Sequence, residues 1–257
     1  MVTLINKHIR RITMPYKDIY TSVFLLDTND GTVLFDTASS DYDVNTYILP
    51  ELQRRNLRYI FISHNHRDHA GGLSRLLEIY PNACVVTQSV TLTKQLSDHP
   101  ILSPEDGTLL LDTFQVVNIP GHTADSQALL DTRSGILLTG DCLQAYGIYG
   151  EGQWGACIRC IPEHMAALEK LRNMPITDML MAHDYHPFGN EVYGTEEIHR
   201  CLDICATALL QVRDVLVQHP ELQDQEIADL YNRDSGLPTV PAFVPAAIRE
   251  AIVSGSL

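Results

Sequence analysis

Two rhythms of apolar and polar positions run along the chain. Ser22-Val23-Phe24-Leu25-Leu26-Asp27 is apolar and β-prone, Asn29-Asp30-Gly31 supplies a turn, and Thr32-Val33-Leu34-Phe35-Asp36 returns as a strand. The first 40 residues therefore read as short strands joined by turns. Residues 41–54 switch to a helical pattern, with Tyr42, Val44, Ile48, Leu49 and Leu52 as its apolar positions. Tyr59-Ile60-Phe61-Ile62-Ser63 is an unbroken apolar run, as expected of a strand buried on both faces. Leu73, Leu76, Leu77 and Tyr80 then recur at helical spacing, which predicts a helix starting near Ala70. Strands are predicted at 84–87, 108–111, 113–119, 127–130, 135–139 and 177–182, and helices at 90–96 and 162–172. Strands interleaved with helices predict an α/β fold with helices on both faces of the β-sheet.

The rhythm changes near Gly194. Residues 196–218 form a long helical pattern with Ile198, Leu202, Cys205, Leu209, Val212 and Leu216 on one side. Residues 225–232 and 244–253 are shorter helices, set apart by Pro238, Pro241 and Pro245. The chain thus divides into a main domain, 1–194, and a helical appendage, 195–257. The apolar stripe of the long helix suits packing on the main domain or a homodimer interface.

Composition narrows the function. The chain has 257 residues, 45% of them hydrophobic, an ordinary globular balance that builds a sizeable core. Its formal net charge of −14, with no Lys/Arg run, would repel a phosphate backbone, so no nucleic-acid partner is expected. Met1 to Lys7 lead into charged residues, and no apolar run is long enough to span a bilayer, so the expectation is a cytoplasmic protein with no membrane partner. The six cysteines should then be thiols.

The chemistry gathers in His64-Asn65-His66-Arg67-Asp68-His69, directly after the apolar strand. Alternate residues of an extended loop project the same way, so His64 and His66 reach one ion together. Asp68 and His69 fall where the chain turns into the next helix and can aim at a second. Imidazole and carboxylate donors suit zinc, and also iron(II) or manganese. Three more ligand-type residues end predicted strands: His122 in Pro120-Gly121-His122, Asp141 in Thr139-Gly140-Asp141, and His183 in Met181-Ala182-His183. Strand ends gather at one rim of a sheet, where ligand sites form.

With those residues in place, the sequence resembles the metallo-β-lactamase superfamily. Its markers occur in order: Asp36 after an early strand, the loop 64–69, Gly121-His122, Gly140-Asp141 and a late His183. The resemblance implies a four-layer αββα sandwich. It further implies one metal ion on His64, His66 and His122, a second on Asp68, His69 and His183, and Asp141 bridging the two. Asp36 would orient a ligand from outside the metal shell. The hydroxide held between two such ions would attack a carbonyl, with Asp68 as the catalytic residue that passes the proton on. The expected activity is a glyoxalase-like or lactonase-like hydrolysis of a small-molecule ester, thioester or lactone. The competing readings are a phosphodiesterase or nuclease of the same fold, a mononuclear-iron oxygenase, and a non-catalytic metal-binding sensor.

Substrate contacts are sought in the segment after Asp141, where Tyr146, Tyr149, Trp154 and Arg159 suit a flap over the site, and at His186 in Ala182-His183-Asp184-Tyr185-His186-Pro187. That motif departs from the family's Gly-His-Gly, and packing explains His186, Tyr146 and Tyr149 as well as substrate contact does. The basic residues by which glyoxalase II-type enzymes hold glutathione are not recognisable in the tail. Cys157-x-x-Cys160 with Cys201 and Cys205 lacks the spacing of a zinc knuckle and reads as free thiols. Ser126 lies too near His122 for a nucleophilic triad and suits the turn after a ligand.

Overall fold

The computed structural model describes residues 1–150 and 154–257. Two sheets face each other. The first holds β1 (Val2–Leu4), β2 (Ile9–Tyr16), β3 (Ile19–Asp27), β4 (Thr32–Phe35), β5 (Leu57–Phe61), β6 (Cys84–Val86) and β7 (Ile101–Leu102) in sequence order. The second runs β13-β12-β11-β10-β9-β8, from β8 (Leu109–Leu110), β9 (Phe114–Asn118), β10 (Gln127–Asp131) and β11 (Ile136–Leu138) to β12 (Asp178–Tyr185) and β13 (Gly189–Tyr193).

Parallel pairs need crossovers, and helices provide them. Between β4 and β5 lie α1 (Asp41–Asp43), a π-helical turn at Val44–Ile48, and α2 (Leu49–Leu52). Helices α3 (Arg67–Ala70) and α4 (Leu73–Ile79) join β5 to β6, and α5 (Val90–Gln95) joins β6 to β7. In the second sheet α6 (Ile161–Arg172) carries the chain from β11 to its parallel neighbour β12. The tail is helical: α7 (Thr195–Gln218), α8 (Asp224–Ser235) and α9 (Phe243–Val253).

The period of two along each strand decides which layer each side chain enters. Phe24, Leu26, Val33, Phe35 and Phe61 face Phe114, Val116, Leu129, Leu138 and Leu180, forming the core between the sheets. Phe35 and Phe61 stack there with centroids 5.1 Å apart. Their neighbours Val23, Leu25, Leu34, Ile60 and Ile62 turn the other way, onto Val44, Ile48, Leu73 and Leu76 of the helices. On the outer face of the second sheet, Val117, Ala128, Leu137, Met179 and Met181 meet Leu168 and Leu171 of α6 and Ile198, Leu202 and Cys205 of α7. Each buried Leu, Ile or Phe contributes about 1.5–3 kcal/mol. The apolar runs at 33–35, 60–62 and 136–138 follow from this, because both faces of the chain are covered there. The order is helix, sheet, sheet, helix: the mixed α/β sandwich that the family resemblance implies, with C-terminal helices.

Three details differ from the sequence reading. Tyr42, counted as an apolar helix position, is exposed, because Val44, Ile48 and Leu52 at successive i, i+4 positions face inward and a residue two before Val44 lies on the opposite side of the helix. The helix expected from Ala70 begins earlier, as α3, and breaks at Gly71-Gly72 before α4. Strand β13 carries no strand signature in the sequence: it is an edge strand with only Val192 fully buried. The long helix spends its stripe on two cores. Ile198, Leu202 and Cys205 enter the sheet-facing cluster, while Leu209, Val212 and Leu216 pack against Ile227, Tyr231, Val244 and Ile248 of the tail.

Candidate metal centre

The loops that leave β4, β5, β9 and β11, together with the end of β12, bring Asp36, His64 to His69, His122, Asp141 and His183 to one rim of the sandwich. Gly140 shows why the Gly-Asp pair is needed at β11. Its φ is +54°, and a Cβ there would lie 2.6 Å from Ser63 Oγ. Only glycine lets Asp141 approach so close to the loop after β5.

Two groups of donor atoms result. His64, His66 and His122 form one, and Asp68, His69, Asp141 and His183 the other, with the donor atoms of each within 4.8 Å of one another. His66 Nδ1 and His122 Nε2 stand 2.9 Å apart. Asp141 faces both groups. Its Oδ1 lies 3.3 Å from His69 Nε2 and 3.3 Å from His183 Nε2, and its Oδ2 lies 3.9 Å from both His64 Nε2 and His122 Nε2. Asp68 Oδ2 is 3.3 Å from His183 Nε2 and 3.5 Å from His69 Nε2.

The far sides of three of the rings are tied down. His69 Nδ1 is 2.7 Å from Asp36 Oδ2, and Asp36 also accepts from the Ser63 amide at 2.7 Å and the Ser63 hydroxyl at 2.8 Å. His122 Nδ1 donates to the Cys157 carbonyl at 2.6 Å, and His183 Nδ1 to the Tyr20 carbonyl. Such contacts fix the tautomer and leave the other nitrogen's lone pair free for a cation.

Electrostatics point the same way. Burial and neighbouring imidazoles lower the pKa of His64, and burial lowers that of His66 and brings His122 down to about 4, so these rings are neutral donors at pH 7. Burial would also lower His69 and His183, but Asp141 and the other carboxylates outweigh it, raising His69 well above the ordinary range and His183 to about 10. Burial works against charge on Asp68 and Asp141 too, and the facing histidines still hold both well below the usual carboxylate range. The carboxylates therefore demand positive charge at this spot. His64 Nε2, His69 Nε2 and Asp141 Oδ1 are buried without a hydrogen-bond partner, all aimed into the same space, a costly arrangement unless a cation satisfies them. The donor set, nitrogen with a few carboxylate oxygens, fits two divalent metal ions, zinc first, with iron or manganese also accommodated.

Above the centre opens a cavity of about 280 Å³. His66, Asp68, His122, Asp141 and His183 lie along its floor, and Trp154 and Arg159 from the segment after Asp141 line its wall. Tyr146, Tyr149 and His186 do not line it. The Tyr149 ring meets His186 edge-on at 4.5 Å, and Tyr146 N–H donates to the His186 carbonyl, so the three form a cluster of their own. Residues 151–153 lie outside the described residues.

The cavity also contains residues that the sequence did not single out. Tyr185 lines it, fully buried, two residues after His183 on the same face of β12. That i, i+2 relation was the available signal. Gln144 lines it as well, accepting from the Cys157 amide at 2.6 Å and so fixing the strap that carries the His122 partner. Lys17 comes from the β2–β3 turn and Phe243 from α9. The tail is built into the wall: Gly155 N–H donates to the Thr239 carbonyl at 2.8 Å, and the Arg159 guanidinium lies 4.0 Å over the Phe243 ring.

The remaining sequence candidates have structural explanations. Ser126 Oγ caps the turn after His122, bonding Thr123 N–H at 3.1 Å. The six cysteines are free thiols, and among the described residues no group of metal-ligand type includes them. Cys201 and Cys205 lie one turn apart on the buried face of α7, and Cys205 Sγ accepts from the Ala145 N–H at 3.3 Å.

Residues 16–196 match the family model described as the metallo-beta-lactamase superfamily. Hydroxyacylglutathione hydrolase from Tolumonas auensis is 28% identical over 199 residues, covering 75% of this chain and 66% of that protein. The beta-lactamase-like protein 2 homolog of Caenorhabditis elegans is 24% identical over 222 residues, covering 84% of this chain and 72% of that one. Among solved structures, DIM-1 metallo-beta-lactamase superposes with a TM-score of 0.65 at 16% identity, covering 81% of this chain and 97% of that chain, which is a likeness of fold. The chain spans less than two thirds of the length of the hydroxyacylglutathione hydrolases it matches, 66% and 57% in two of them. With the family model matched across most of its length, this chain belongs to the metallo-β-lactamase superfamily.

Proposed function

We propose that the protein is a dinuclear metal-dependent hydrolase acting on an ester, thioester or lactone of a small molecule. The observation that carries this reading is the position of Asp141, with one carboxylate oxygen toward His69 and His183 and the other toward His64 and His122. His64, His66 and His122 would hold one ion, Asp68, His69 and His183 the other, and Asp141 both. When bound, the two ions supply an activated water as nucleophile and a Lewis acid for the substrate carbonyl.

The chain's own residues do the rest. Asp36 holds His69, the Cys157 carbonyl holds His122, and the Tyr20 carbonyl holds His183, so the donors are fixed before substrate arrives. Asp68 lines the cavity, its charge held by His69 and His183, and would accept the proton released at the nucleophile. Trp154, Ile148, Ile19 and Phe243 close the sides with apolar surface, which excludes water from around the reacting carbonyl.

A cavity of about 280 Å³ suits a small molecule better than a polymer. The hydroxyacylglutathione hydrolases among the relatives support thioesters in particular. No helix among the described residues is long and apolar enough to cross a membrane. A cytoplasmic setting accords with six free thiols. The test is a panel of thioesters, lactones, β-lactams and phosphodiesters run with and without chelator. Chelator-sensitive turnover of thioesters or lactones, lost in His66→Ala, supports the reading. Phosphodiester turnover exceeding all the acyl substrates would replace it with a phosphodiesterase.

A further inference from the structure

The protein is acidic, with a net charge of −14, yet the mouth of its cavity is not. Lys17, Arg67 and Arg159 line it and are exposed, while the ligand-type residues Asp68, His122, Asp141 and His183 on its floor are buried. This difference in burial puts the cations at the entrance. Most Lys and Arg side chains elsewhere are in ion pairs, such as Arg11 with Glu191, Arg55 with Asp27 and Arg249 with Asp224. No such pair involves Lys17, Arg67 or Arg159 among the described residues.

Two of the three are held against aromatic rings instead. Lys17 Nζ lies 4.5 Å from the Trp154 ring centre and 5.0 Å from that of Tyr16, and the Arg159 guanidinium lies 4.0 Å over Phe243. A ring beneath a cation holds its stem in place without neutralising it, leaving the outer face for an anion. Asp18, the acidic neighbour of Lys17, accepts a hydrogen bond from the Trp154 indole at 3.3 Å, which fixes the ring that backs Lys17. The wall between these cations and the floor is apolar: Ile19, Ile148, Trp154 and Phe243. Among the described residues the only carboxylates on the cavity lining are Asp68 and Asp141, both on the floor.

We propose that Lys17 and Arg159 are specificity residues that bind a carboxylate at the far end of the substrate, separated from the reacting carbonyl by a short apolar linker. Arg67 adds to the same field. The proposal rests on the hydrolase reading for what happens at the floor, but the recognition itself does not depend on turnover. An exposed cation with no ion-pair partner among the described residues gains most from an anionic partner, because the surrounding charge of this acidic protein repels anions everywhere else.

The test uses the metal-loaded full chain and two readouts. In the first, kcat/KM is compared for mono-p-nitrophenyl glutarate and p-nitrophenyl pentanoate, which share chain length and differ in the terminal group. A preference of about tenfold or more for the glutarate is expected, carried by KM and compressed by high salt. In the double variant Lys17→Gln, Arg159→Gln the ratio should fall close to one; being a ratio, it is insensitive to a general loss of activity. In the second, calorimetry compares 4-phenylbutyrate with its neutral amide. Tighter binding of the carboxylate, lost in the double variant, supports the proposal even if neither ester is turned over, a result that would instead count against the hydrolase reading. Carboxylate binding that survives in the double variant would place the anion on the metal ions and overturn the proposal. So would an unchanged substrate ratio, or a preference of more than about tenfold for 4-phenylbutyl phosphate over 4-phenylbutyrate.

Discussion

Asp36 Oδ2 lies 2.7 Å from His69 Nδ1, and both side chains are completely buried. Asp36 reaches that position with a φ of +65°, a left-handed conformation that costs a non-glycine residue about 1 kcal/mol or more. The strain is offset by three hydrogen bonds, from the Ser63 amide, the Ser63 hydroxyl and the His69 ring. Their joint effect is to turn His69 Nε2 toward Asp68 and Asp141. Asp36→Asn keeps the shape but removes the charge that holds the ring. It should weaken the ion in the His69 group about 10–100-fold and leave the His64, His66 and His122 group much less affected. Chelator competition followed by elemental analysis would show one weak and one near-normal ion. Two ions held as in the wild type would contradict this role.

The buried His164 makes stability depend on pH in a defined window. Burial, with a smaller contribution from His122, lowers its pKa from an ordinary 6.5 to about 4. The unfolded chain binds a proton at this residue as pH falls below 6.5, while the folded chain resists until about 4. Its stability is therefore intact above pH 6.5 and declines as pH falls toward 4, by roughly 3 kcal/mol over the full window. Urea unfolding of metal-free protein at pH 7, 6 and 5 should show this fall, and His164→Gln should flatten it. Equal slopes for the two proteins would show that another group controls the acid limb.

Gly155 tests whether the tail shapes the cavity. A Cβ at this position would lie 2.3 Å from the Thr239 carbonyl oxygen, and the Gly155 amide bonds that same oxygen. Gly155→Ala should push the strap that carries Trp154, Cys157 and Arg159 away from the tail. The expected cost is about 1–3 kcal/mol in stability, with a several-fold rise in KM. Unchanged melting and unchanged KM would mean that the strap is held from elsewhere.

Cys157 lines the cavity with a thiol that should be slow to react. Burial is the main reason its pKa rises, to about 11. At pH 8 it should be alkylated by iodoacetamide far more slowly than an ordinary exposed thiol, and its rate should climb only as pH nears 11. Peptide mapping of alkylation between pH 7 and 10 checks this. Rapid labelling at pH 7 would contradict the burial described.

The grouping of the site's His and Asp side chains was legible in the sequence because they come in short clusters whose spacing has a physical meaning. His64 and His66 alternate along an extended loop, and His122, Asp141 and His183 each end a recognisable strand. Asp36 was readable only through family resemblance, since nothing local ties it to His69, 33 residues away. The α/β layering was legible for a similar reason, since buried strands show as apolar runs at 33–35, 60–62 and 136–138, whereas the four-layer sandwich came only from the family resemblance. Strand β13 did not show, because an edge strand with one buried side chain has no periodicity to detect. The cavity wall was the least legible part. Lys17, Trp154, Arg159 and Phe243 come from a turn, a strap and the tail, and only folding brings them together. Trp154 and Arg159 were found by their place after Asp141, whereas Tyr146, Tyr149 and His186 pair among themselves.

Asp141 is proposed to join two metal ions on which hydrolysis depends. Zinc titration into metal-free protein, following bound metal and thioester turnover together, tests it most directly. Binding of two equivalents per chain is predicted, with activity reaching its maximum only as the second fills, and Asp141→Asn should weaken both. Full turnover by metal-free protein, or saturation of both binding and activity at one equivalent, would contradict it.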